Sequence, residues 1–133
     1  MAASIIFFSI VPGGKYRSSF DLTDKEKALC NTWHLIYDSG KDRAPAKIPD
    51  SIRVTRKFYN DHSYIDKINH RTQSGKWELD TTQTFLILRY LSQADSNRKL
   101  TQTYKIRQLN DTSLILSFRA SFGYAEKRYR KIK

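Results

Sequence analysis

Apolar and polar residues alternate with a period of two along most of the chain, the signature of strands with one face buried. In Asn31–Tyr37 (NTWHLIY), Trp33, Leu35 and Tyr37 share one face and His34 and Ile36 the other. Ile52–Tyr59 (IRVTRKFY) sets Ile52, Val54 and Phe58 on one face with Arg56 among them. Asn60-Asp61 marks a turn and Ser63–Asn69 resumes the pattern, which predicts a hairpin. Arg71–Gly75 reads as a polar turn before the alternating Lys76–Leu79. Phe85–Leu91 (FLILRYL) is a strand apolar on both faces at its centre, and Gln93–Lys99 a polar loop. Leu100–Arg107 and Leu114–Ala120 alternate on either side of Asn110-Asp111-Thr112. Gly123 breaks the pattern, and residues 125–132 supply the last strand. Residues 41–50 hold Pro45 and Pro49 and predict a loop.

One helix start stands out. Thr23-Asp24-Lys25-Glu26 matches a capping box, with Thr at the N-cap and Glu three residues on, and predicts a short helix over Asp24–Leu29. No long amphipathic helix separates the strands, so a βαβ architecture is excluded. About eight strands joined by short turns must close on themselves or pack as two sheets to cover their edges. The expectation is an all-β chain, a single antiparallel up-and-down barrel over residues 23–133 behind an N-terminal segment, residues 1–22. Within that segment Ser4–Val11 (SIIFFSIV) is apolar but short of the ~20 residues that span a bilayer. It has the character of a signal-peptide core, yet Met1-Ala2-Ala3 carries no basic residue. A signal remnant, a truncated start and a first strand all remain open. A signal remnant would place the protein in the cell envelope or outside the cell; otherwise it is cytoplasmic.

Composition adds a core and a charge. With 39% apolar and 13% aromatic residues in 133, there is material to fill one core and too much for a disordered chain. The 24 Lys and Arg against 13 Asp and Glu leave a formal charge of +11. That predicts either a solvated basic surface or weak attraction to polyanions such as nucleic acid, anionic lipid or acidic glycan. The densest basic cluster is C-terminal, Lys127, Arg128, Arg130, Lys131 and Lys133, interleaved with Tyr124 and Tyr129. Cys30, the sole cysteine, cannot form an intrachain disulfide and reads as a packing residue. His34, His62 and His70 lack the spacing of a metal site. No nucleophile–base set and no complete phosphate-binding loop is present, and no cofactor is implied; the expectation is a protein that is not an enzyme. Asp61 and Asp66 read as turn and strand-surface groups.

Several of these segments together resemble a known family. A short capped helix followed by Asn31-Thr32-Trp33 is similar to the opening of lipocalins and lipocalin-like domains, whose usual form is Gly-x-Trp; here Asn31 takes the Gly position. Gly75-Lys76-Trp77-Glu78-Leu79-Asp80 followed by Phe85-Leu86-Ile87-Leu88, and Tyr104–Leu116, resemble the small lipocalin-like domains of bacterial envelope proteins, especially from Bacteroidetes. The resemblance spans roughly residues 28–133. It implies an up-and-down barrel with its helix near one end, and Trp33 packed structurally beneath Arg128 or Arg130 as a cation–π pair. It implies little about activity.

A lipocalin-like barrel of this size either fills its interior with side chains or holds one small hydrophobic or amphipathic molecule. The candidate ligand-binding set is Tyr37, Val54, Phe58, Trp77, Phe85, Ile87, Tyr104, Leu116 and Phe118, with Trp33, Leu35, Ile52, Leu79 and Ile106 also interior. Arg56, Arg89 and Gln102 share faces with these apolar residues. A buried Arg needs a partner, which a ligand carboxylate could be, but a one-residue change of register would turn Arg56 and Arg89 to solvent.

Overall fold

The computed structural model describes residues 21–39, 46–95, 97–120 and 123–132. One helix, α1 (Asp24–Leu29), precedes nine strands: β1 (Thr32–Asp38), β2 (Ala46–Lys47), β3 (Val54–Phe58), β4 (Ser63–Ile68), β5 (Arg71–Leu79), β6 (Phe85–Leu91), β7 (Lys99–Leu109), β8 (Ser113–Ala120) and β9 (Gly123–Lys131). Each strand from β3 to β9 pairs antiparallel with the next. β1 pairs with β3 on one side and β9 on the other, which closes an eight-stranded up-and-down barrel. The two residues of β2 add a short rung beside the end of β1. Closure removes the unpaired edges that an open meander would expose.

α1 covers one end of the barrel. Its N-cap is the capping box: the Thr23 hydroxyl accepts from the Glu26 N–H at 3.1 Å, and Glu26 Oε1 accepts from the Thr23 N–H at 2.9 Å. Three contacts then tie this single turn and a half to different strands. The Thr23 hydroxyl donates to Gln83 in the β5–β6 turn at 2.7 Å. Glu26 lies 3.2 Å from His62 in the β3–β4 turn, and the Trp33 indole N–H donates to the Leu29 carbonyl at 3.0 Å. So short a helix is unstable alone; packing holds it.

The floor of the barrel next to α1 is solid. Leu29, Trp33, Phe58, Trp77, Leu86 and Leu114 are essentially fully buried there. Phe58 meets Trp77 edge-to-face, with centroids 5.7 Å apart. The Trp77 indole N–H donates to the Tyr59 carbonyl at 3.0 Å, so neither buried tryptophan leaves its donor unsatisfied.

Four expectations need correction. Arg71–Gly75 is strand, not turn: Thr72, Gln73, Ser74 and Gly75 pair with Lys67, Asp66, Ile65 and Tyr64 of β4. The turn is Asn69-His70 alone, with Asn69 in the left-handed region at φ 56. Phe85 and Ile87 face outward, because Trp77 pairs with Leu88 and Leu79 with Leu86, which commits Leu86 and Leu88 to the interior. Tyr37 also faces outward: a bulge between Leu35 and Tyr37 shifts the β1–β9 register, so Tyr37 lies opposite the outward Arg128. Ile52 precedes β3 and is 40% exposed.

Gly75 has a packing role hidden in the sequence. It lies opposite Tyr64, and a Cβ there would sit 2.8 Å from the Tyr64 ring and closer still to the Arg89 carbonyl. Gly75→Ala is therefore expected to cost about 1–3 kcal/mol by overpacking, read from the urea midpoint. A cost below ~0.5 kcal/mol would show that Tyr64 does not rest on this glycine.

Candidate functional site

Above the solid floor the barrel interior turns polar. Arg56 sits on β3 between inward-facing Val54 and Phe58, and its strand partner on β4 is Asp66. Asp66 holds the guanidinium bidentately: Arg56 Nε donates to Oδ1 at 2.6 Å and Nη2 to Oδ2 at 2.9 Å. Three tyrosine rings surround the same guanidinium, with centroids 5.5 Å (Tyr104), 5.8 Å (Tyr64) and 5.9 Å (Tyr129) from Cζ. Burial opposes the charge, but Tyr129, the hydrogen bond and charge of Asp66, and Tyr104 outweigh it and raise the Arg56 pKa, so the side chain stays protonated. Burial raises the Tyr64 and Tyr129 hydroxyl pKa values, and Arg56 pulls both the other way.

One donor of this cluster is unused. Arg56 Nη1 is buried and has no hydrogen-bond partner among the described residues. Arg56 borders an internal hollow of about 90 Å³ walled by Tyr64, Asp66, Gln73, Tyr90, Gln102 and Tyr104. That is room for roughly three water-sized groups. Asp66 and Gln73 also line a second hollow of about 150 Å³ at the rim remote from α1, beside Ile68, Arg71 and Gln93. Lys127, inward on β9, is bonded to Asp38 at 2.8 Å. Arg56 and Lys127 are therefore each paired with a carboxylate.

The predicted ligand set divides accordingly. Tyr104 lines the hollow, and its ring meets Phe118 edge-to-face at 5.6 Å. Phe58, Trp77 and Leu116 belong to the solid core, and Val54 and Phe118 pack against it. Tyr37, Phe85 and Ile87 are not with them. Asp66, read as a surface group, is the partner of Arg56. Arg89, by contrast, is outward and pairs with Glu78 at 2.8 Å. Tyr64, Gln73 and Tyr90 were missed. Their signal was alternation in register with Trp77 and Leu88, legible only once Arg71–Gly75 is taken as strand.

Trp33 does not lie beneath Arg128 or Arg130. Leu35 pairs with Tyr129, which sends Tyr129 inward and both arginines outward, and Arg128 bonds Glu126 at 2.7 Å instead. The cation–π partners inside the barrel are Arg56 and Lys127, the latter 5.7 Å from the Phe118 ring.

No family model matches the chain, and no curated protein sequence does. A solved structure of a lipocalin-like protein from Bacteroides uniformis superposes on 79% of this chain and 99% of its own, with a TM-score of 0.59 at 17% identity. The chain is a lipocalin-like barrel. Japanin from Rhipicephalus appendiculatus, solved bound to cholesterol, also matches, at TM-score 0.49 and 17% identity over 79% of this chain and 77% of its own. At these identities the likeness concerns the fold, as the motifs around Trp33 and Trp77 implied.

Other chemistry in the lipocalin-like barrel is sparse. Among the described residues, no three His, Cys, Asp or Glu converge in a way that could hold a metal, and no helix is long and apolar enough to cross a membrane. His34 is on the outward face of β1, His62 in the turn against Glu26, and His70 exposed. Burial, then the charges of Glu26 and Asp61, push the Cys30 thiol up to about 11. At pH 8 its thiolate is scarce. Alkylation by iodoacetamide should run on the order of a hundredfold slower than for a free small-molecule thiol. A rate within tenfold of the free thiol would contradict this placement.

Proposed function

We propose that this lipocalin-like barrel is a non-enzymatic binding protein for a small amphipathic molecule. The ligand's acceptor oxygen docks on Arg56 and its short apolar part extends toward Ile68 at the rim. The observation that carries this reading is Arg56: its buried Nη1 finds no acceptor among the described residues, and the side chain borders a hollow. A buried donor left unmade costs about 1–3 kcal/mol, more beside a charge, and a ligand oxygen recovers that cost. Because Asp66 already compensates the Arg56 charge, a neutral carbonyl suits the site at least as well as a carboxylate, which would bring an uncompensated negative charge into the interior. The closed apolar floor favours a short ligand over a long acyl chain.

Thermal unfolding with three six-carbon probes tests this reading. 2-Hexanone should stabilise the protein at least as much as hexanoate, by about 1.4 kcal/mol when present at ten times its Kd. Hexylamine, a cation without an acceptor, should not stabilise it. Equal effects of all three, or none, would remove the reading. The alternative, polyanion binding by the C-terminal basic cluster, has less to stand on: Lys127 turns inward onto Asp38, and Arg128 is paired with Glu126.

A further inference from the structure

Three cations without a carboxylate bridge converge on the outer side of the barrel. Arg56, Arg89, Lys127 and Arg128 are each bridged to a carboxylate. Of the described cations without such a bridge, which also include Lys105 and Arg107 on β7, Lys47, Arg53 and Arg130 lie together. These three, with His34, line a hollow of about 410 Å³ on the outer side of the barrel. It lies between β1, the segment 47–53 and the end of β9. The register brings them there: His34 lies opposite Arg130 on β9 and Thr55 on β3, and Arg53 falls two residues before Thr55, on the same face. The wall opposite is fixed by the Ile48 N–H donating to the Ile36 carbonyl and by the Ile52 N–H donating to the Pro49 carbonyl, both at 2.9 Å. Among the described residues, Asp50 is the single acid lining the hollow, so three cations face one carboxylate. The proton affinity of His34 reports the resulting field: burial, then Arg53 and Arg130, lower its pKa, with Asp50 opposing. Ile36, Ile48 and Ile52 give the same hollow an apolar side.

We propose that this groove binds a phosphate monoester, its dianionic group held by Lys47, Arg53 and Arg130 and its organic group resting on the isoleucines. Two uncompensated positive charges match a dianion, and arginines suit the fork-like recognition of phosphate oxygens. Neutral His34 adds a hydrogen bond. The site is separate from the barrel interior and does not depend on the role of Arg56.

The test is an NMR titration of the full chain at ~0.15 M salt, near physiological ionic strength, with phenyl phosphate, inorganic phosphate and phenol. Phenyl phosphate should bind one-to-one, shift the His34 ring and Arg53 amide signals, and raise the His34 pKa. Inorganic phosphate should bind more weakly and phenol not at all. Arg53→Gln with Arg130→Gln should weaken phenyl phosphate by at least about tenfold, as expected for lost charge-assisted hydrogen bonds. Lys105→Gln with Arg107→Gln removes the same charge from the exposed face of β7 and should leave binding within about twofold. Equal losses in the two double variants would mean diffuse attraction to a basic surface and would overturn the site. Equal affinity for inorganic phosphate and the ester would overturn the assignment to an ester.

Discussion

Asp66→Ala is expected to destabilise the protein by about 3–5 kcal/mol, the typical cost of stranding one member of a buried ion pair. Arg56 is enclosed by three tyrosine rings and bonded bidentately to Asp66. Without the carboxylate the guanidinium keeps its charge in a site that no longer repays its desolvation. The double variant Arg56→Met with Asp66→Leu behaves differently. Replacing both ions with apolar side chains of similar length removes the desolvation cost together with the attraction, and such replacements are often neutral or stabilising. It should fold within ~1 kcal/mol of the parent, measured by urea unfolding, and should lose the stabilisation by 2-hexanone. Stability and binding part in that variant. If the pair serves the fold alone, the double variant loses stability and there is no probe binding to lose.

Trp33→Ala should cost a further large amount, about 3–5 kcal/mol, as for a fully buried tryptophan truncated in a packed core. Trp33 is 0% exposed, and its indole N–H is the donor to the last carbonyl of α1. Its loss opens a cavity in the floor and removes one of the two hydrogen bonds to the Leu29 carbonyl, leaving that from the Asn31 N–H. α1 should then loosen before the barrel does, because the side-chain ties left to it, among them Thr23–Gln83, Glu26–His62 and Asn31–Ala28, lie outside the packed floor. Hydrogen exchange would show this as faster exchange in Lys27–Cys30 than in β6 or β8. Trp33→Phe keeps most of the volume and should cost about half as much or less, mainly the unmade hydrogen bond. Uniform loss of protection over helix and strands in Trp33→Ala would contradict a packed floor that anchors α1 through Trp33.

Much of the architecture was legible from alternation and capping because those signals are local. The capping box at Thr23–Glu26 gave the helix its bounds, and turn residues at Asn60-Asp61 and Asn110-Asp111 bounded hairpins that the structure contains. Register was harder. Phe85–Leu91 is apolar on both faces, so its own pattern does not say which set enters the core; pairing of Trp77 with Leu88 does. Tyr37 was assigned inward because a bulge leaves no local mark in sequence. The candidate site was the least legible part. Arg56 and Asp66 are ten residues apart and become partners only through the β3–β4 register. Gln73 and Gly75 looked like turn residues because a polar, glycine-containing stretch is also what a strand beside a buried ion pair requires. Arg128 and Arg130 were placed over Trp33 on family resemblance, and strand parity sends them outward.

In the proposed binding mode Arg56 receives a ligand oxygen inside the barrel. The measurement that addresses it most directly is an NMR titration with 2-hexanone that observes the Arg56 guanidinium and Tyr104 ring signals. Saturable one-to-one shifts at both groups, absent in the Arg56→Met, Asp66→Leu variant of near-parental stability, are the predicted result. Unshifted Arg56 signals up to the solubility limit of the probe, or shifts confined to outward residues such as Leu91 and Tyr124, would contradict it.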